Sequence, residues 1–259
     1  MSFPATVLLA AFAGGTIFLG LPVGRLRNLS ANAQALLTAG AAGVILFLIY
    51  DVLNQAIAPL NTALDAARAG GPLAPLLGDA GLLALSVAVG LLSVTYATTR
   101  LRARAAGPAL TAQLALGTAV GLGLHNFSEG LAIGQSAATG ATSLALILVV
   151  GFAAHNATEG FGIAAPLASG ERPSWAFLGL LGLIGGGPTF LGGVVGYTLV
   201  SPALSIAFLG LAAGALVYVF TEMMAVVRRF ALPMTVSTAV LLGLLAGIGT
   251  DLLLTAAGV

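Results

Sequence analysis

Two stretches of the chain carry residues that could do chemistry: LHNFSEGLAIG at 124–134 and AHNATEGFGIA at 154–164. Both read His-Asn-x-x-Glu-Gly. Residues i and i+4 share one face of a helix, so His125 points with Glu129 and His155 with Glu159. Imidazole nitrogen and carboxylate oxygen suit borderline divalent cations such as Zn²⁺, Fe²⁺, Mn²⁺, Co²⁺ and Cd²⁺. Two glutamates also neutralise a 2+ ion, which eases the cost of holding it in an apolar medium. Asn126 and Asn156, about 100° round each helix, can add neutral oxygen ligands or hold an amide in the site. Gly130 and Gly160 are expected to leave room beside it.

The surroundings make these groups costly. Hydrophobic residues form 59% of the 259-residue chain and charged residues only 7%, with a mean hydropathy of +1.09. A soluble domain of this length needs more charge to cover its surface. The apolar runs are continuous and about 20 residues long, which fits membrane-crossing helices and excludes an alternating β-barrel. Eight spans are expected, near 4–24, 33–59, 79–99, 110–137, 141–167, 176–200, 203–227 and 235–256, forming one transmembrane domain over 1–259. Connections are short except for a polar stretch from Asn61 to Gly78. The N-terminal MSFPATVLLAAFAGG has no positive leader, so it reads as the first span.

Arginine placement checks that count. Arg25 and Arg27 follow span one, Arg100, Arg102 and Arg104 span three, Arg172 span five, and Arg228 and Arg229 span seven. These are alternate loops, so they share one side, and only Arg68 falls on the other. Positive charge favours the cytoplasm, so both termini are expected outside the plasma (cell inner) membrane. Spans four and five, joined by a tight loop around Thr139 to Thr142, run antiparallel. Their two signatures therefore meet at similar depth, and an ionisable group at that depth is a candidate functional site.

Further acidic residues lie along the spans. Asp51 and Glu222 are candidate points on an ion path, and Asp251 a weaker one, whereas Asp65, Asp79 and Glu171 read as solvated loop charges. Cysteine is absent, which removes thiolate sites and disulfides. There is no GxxxxGK[ST] motif, so energy must come from gradients. No organic cofactor and no nucleic-acid partner are expected; the partners are divalent metal ions and the lipid bilayer, with a homodimer as a candidate assembly. An intramembrane metalloenzyme is the main alternative, but Asn126 and Asn156 stand where an H-E-x-x-H hydrolase has its glutamate base, so an enzyme is not expected. A metal-gated channel or receptor would use the same site.

At these residues the chain resembles the ZIP family of divalent-metal transporters, of a prokaryotic type. The resemblance rests on eight spans and on the paired signatures in spans four and five. It implies an all-α integral membrane protein in a 3+2+3 arrangement, with inverted repeats around the central two helices. It also implies import of metal, commonly zinc, through a mid-membrane site formed by His125, Asn126, Glu129, His155, Asn156 and Glu159, and it favours Asp51 and Glu222 as path residues. Two departures stand out. Ser128 and Thr158 replace the usual proline before glutamate, and their hydroxyls are expected to bond the preceding turn. In GGGPTFLGG, Gly187 precedes Pro188 where many relatives have a glutamate, so one bound ion is expected rather than two.

Overall fold

The computed structural model describes residues 1–104, 110–169, 171–199 and 201–256, and it is helical nearly throughout. Eight α-helices follow in order: α1 (Phe3–Gly15), α2 (Ala31–Arg68), α3 (Ala74–Arg104), α4 (Leu110–Ala138), α5 (Thr142–Ala164), α6 (Trp175–Thr198), α7 (Pro202–Val227) and α8 (Pro233–Ala256). Local chemistry accounts for many of their ends. The side chains of Ser30, Ser174 and Ser201 accept from the backbone N–H of Ala33, Phe177 and Leu204, capping α2, α6 and α7. Gly140, at φ +83°, turns the chain between α4 and α5.

Among the described residues, six spans are both long and apolar enough to cross a membrane: Phe3–Arg25, Ala31–Arg68, Ala74–Arg100, Thr142–Ala168, Trp175–Thr198 and Pro202–Phe230. A shorter apolar stretch among the described residues, Pro233–Gly249, lies in α8. Helix α4 is long enough, but His125, Asn126, Ser128 and Glu129 lower its mean hydropathy. It packs against α6, α7, α5 and α1 and so is shielded by protein, which suits its polar load. The outward faces are apolar: Leu8, Leu85, Leu92, Leu183 and Val150 are all largely exposed, a surface suited to lipid.

Two boundaries differ from the sequence reading. The polar stretch from Asn61 onward is not a loop. Helix α2 continues through Pro59 to Arg68, and only about five residues separate it from α3. At 38 residues α2 is about 57 Å long, well beyond a hydrocarbon core of about 30 Å, so its polar end stands clear of the bilayer. The first span, in turn, is α-helical only to Gly15 and continues as 3₁₀ turns over Thr16–Leu19 and Leu21–Arg25.

Helix α2 packs on α8, α3 on α7, α1 on α6, and α5 along α1 and its 3₁₀ extension. Glycines let these backbones touch. A methyl group at Gly130 would overlap the Thr189 carbonyl of α6, and one at Gly160 would overlap the Ile17 carbonyl. The two signature glycines therefore seat α4 and α5 against neighbouring backbones, instead of making room in the site as the sequence suggested. The overlapping atoms are main chain and cannot swing away. Gly160→Ala is expected to destabilise the protein by about 1–3 kcal/mol, whereas Gly187→Ala, which meets open space, should change little. Thermal unfolding of the two variants in detergent checks this.

Candidate metal centre

Midway along α4 and α5, five of the six signature side chains meet. His125, Asn126, Asn156 and Glu159 are fully buried and Glu129 is 3% exposed. His125 Nε2 lies 3.6 Å from Oε1 of Glu129 on its own helix and 3.9 Å from Oε1 of Glu159 on α5. The second oxygens are held crosswise. Asn126 Nδ2 donates to Glu159 Oε2 at 2.7 Å, and Asn156 Nδ2 donates to Glu129 Oε2 at 3.3 Å. One oxygen of each carboxylate is thus anchored while the other is turned towards His125.

Each asparagine also reaches a third helix. Asn126 Nδ2 donates to the Gly185 carbonyl of α6 at 3.0 Å, and Asn156 Nδ2 to the Ala13 carbonyl of α1 at 3.1 Å. Both acceptors sit where a helix is irregular. Gly185 lies one turn before Pro188, whose missing N–H leaves the neighbouring Ile184 carbonyl without its usual donor. Ala13 lies where α1 tightens into 3₁₀ turns, and its carbonyl also accepts from Thr16 Oγ1 at 2.8 Å. The amides spend their donors on these bonds, so their oxygens are left over. Asn126 Oδ1 and Asn156 Oδ1 are buried and have no hydrogen-bond partner among the described residues. A buried acceptor without a donor is costly, and a cation supplies what it lacks.

Two donors that share a tetrahedral ion at about 2.1 Å stand about 3.4 Å apart. The separations of 3.6 and 3.9 Å from the imidazole to the two carboxylates exceed that by a few tenths of an ångström. The cluster is not a closed cage. Among the described residues, no group of three or more His, Cys, Asp or Glu side chains has the geometry to hold a metal ion as it stands. The backbone of His155 lies in α5 one turn from Glu159, but its side chain is outside the described residues.

Asp51, on α2, is half-buried and accepts from Gln55 Nε2 at 2.8 Å. It lies within electrostatic range of Glu129 and Glu159, and also of Asp251 on α8. Glu222 is half-buried in the last turns of α7, towards Arg228 and Arg229. Ser128 Oγ is buried and bonds nothing, contrary to the expected bond to the preceding turn, and α4 runs unbroken past it. The crosswise amides and their carbonyl anchors were not foreseen from the sequence. Pro188, inside α6 and next to a run of glycines, was the available signal for one of them.

Comparison with protein families finds that residues 99–255 match the model described as the ZIP zinc transporter. The match covers more than half of the chain, from the end of α3 to the end of α8, and includes both signatures. Among curated proteins, no match is found.

Proposed function

Because the chain belongs to the ZIP family of zinc transporters, and so is a multi-pass membrane transporter of divalent metal rather than an enzyme, we propose that it carries its ion through the cluster between α4 and α5. The observation that carries this reading is the pair of crosswise Asn–Glu bonds, which fixes one oxygen of each carboxylate while the other faces the His125 imidazole, and leaves two buried amide oxygens in the same cluster. His125, Glu129 and Glu159 form the core of the site, Asn126 and Asn156 contribute oxygens while holding the carboxylates, and the repeated sequence signature makes His155 a further candidate ligand. One Zn²⁺, or an ion of similar chemistry, binds at a time.

The helices are arranged as inverted repeats, α1–α3 and α6–α8, around the central pair. Packing supports this: exchanging α1, α2 and α3 for α6, α7 and α8 turns the α2–α8 contact into the α7–α3 contact. The same exchange turns Asn126 on the α6 carbonyl into Asn156 on the α1 carbonyl. Asp51 and Glu222 fall at matching positions, each about twenty residues past the start of its helix, and mark the outer and inner halves of the path. The arginines at the ends of alternate helices favour an orientation with both termini outside a cell membrane, and the family resemblance favours import towards the cytoplasm.

Flux tests the site. In proteoliposomes loaded with a metal-sensitive dye, uptake of Zn²⁺, Fe²⁺, Mn²⁺ and Cd²⁺ is measured for the wild type and for His125→Ala. Removing a principal ligand should lower uptake at least about tenfold. Unchanged uptake by a folded His125→Ala protein would remove the central site from the route.

A further inference from the structure

Away from the metal cluster, two distant segments bring three arginines to the same end of the helices. Arg25 closes the 3₁₀ extension of α1, and its guanidinium lies over the Trp175 ring, 4.4 Å from the centroid. Its Nη1 donates to the Pro173 carbonyl. That contact sets it beside Arg172, the residue before Pro173, and Arg27 lies two residues further along the chain. The charges of both arginines act on Arg25. Arg25 Nε is screened from solvent and has no hydrogen-bond partner. The one acidic residue in either segment is Glu171, which is exposed.

Like charges that act on one another at one end of the helices repel, so the arrangement invites an anion. The N-terminus of α6 adds to this: Ser174 caps it, its first turn holds no acidic residue, and the dipole of a 24-residue helix presents its positive end here. The patch lies where membrane spans end, and an interfacial Trp stacked on Arg belongs at headgroup depth. Guanidinium groups match phosphate oxygens in pairs. We propose that Arg25, Arg27 and Arg172 bind the phosphate of an anionic phospholipid headgroup. The lipid bridges the end of the first span to the start of α6, the two elements whose carbonyls anchor Asn156 and Asn126. The inference does not rest on the metal-site reading, and its test involves no transport.

The test is thermal unfolding of the purified protein in detergent with added phosphatidylglycerol, phosphatidylcholine or inorganic phosphate, with bound lipid counted by native mass spectrometry. Phosphatidylglycerol should raise the melting temperature of the wild type by about 2–4 °C and remain bound, and the other two should not. Arg172→Gln, at an exposed position that the fold does not need, should lose most of that shift, and Arg25→Gln with Arg172→Gln all of it. Arg228→Gln, at another helix end on the same side, should keep it. A full shift in Arg172→Gln, or an equal loss in Arg228→Gln, would overturn the site. A matching shift with inorganic phosphate would assign the patch to a free anion and overturn the lipid.

Discussion

Glu159→Gln should abolish metal flux while leaving the fold in place. The substitution keeps shape and length, and the new side-chain carbonyl can still accept from Asn126 Nδ2 where Glu159 Oε2 does at 2.7 Å. What it removes is one of the two negative charges facing a 2+ ion in a fully buried position. With both glutamates the site can neutralise its cargo, and with one it holds an uncompensated charge in a low-dielectric interior. Removing one partner of a buried charge pair costs about 3–5 kcal/mol, which corresponds to an affinity loss of at least about 100-fold. Two readouts separate this from misfolding. Melting in the presence of a chelator should match the wild type to within about 1 kcal/mol, because the hydrogen-bonding pattern survives. Added Zn²⁺ should stabilise the wild type by mass action and the variant far less. Glu129→Gln should behave alike, since both carboxylates face the same imidazole. A variant that still transports near the wild-type rate, or a large effect at only one of the two glutamates, would refute a shared ion.

The number of helices and their approximate positions were legible because continuous apolar runs are one-dimensional signals. The pairing of the signatures was legible for a similar reason: i, i+4 spacing and a short α4–α5 connection leave little freedom. The limits of that reading are equally specific. Asn61 to Gly78 looked like a loop because it is polar, yet a polar helix extending beyond the bilayer satisfies its backbone internally and α2 simply continues. Gly130 and Gly160 looked like space for a ligand, since a sequence does not say which neighbour a missing side chain would meet. They seat α4 on α6 and α5 on the 3₁₀ extension of α1. Nor could spacing reveal that each asparagine bridges to a carbonyl on a third helix. That depends on where α1 tightens and where Pro188 interrupts the ladder of α6, features set by tertiary packing.

Those bridges yield a second large effect, with an asymmetry that checks the geometry. Asn126→Ala takes from Glu159 its amide donor at 2.7 Å and from the Gly185 carbonyl a donor at 3.0 Å, in a fully buried place. Depriving a buried polar group of its partner costs about 1–3 kcal/mol, so two such losses should lower stability by about 2–5 kcal/mol. Asn156→Ala removes the mirror-image pair, but the loss is smaller on both counts. Its bond to Glu129 is longer, at 3.3 Å against 2.7 Å, and its bond to the Ala13 carbonyl is 3.1 Å against 3.0 Å. The cavities left behind are the same size, since the residues exchanged are identical, so any difference between the variants reports the hydrogen bonds. Denaturant unfolding without metal should therefore rank wild type above Asn156→Ala and Asn156→Ala above Asn126→Ala. A double-mutant cycle of Asn126→Ala with Glu159→Ala, which removes the acceptor that Glu159→Gln retains, should show coupling of about 0.5–3 kcal/mol, because the two side chains share one bond. Equal losses, or the reverse order, would mean that the amides do not hold the carboxylates as the coordinates have them. Without that hold, the site would lose the feature that turns one oxygen of each glutamate towards the cargo.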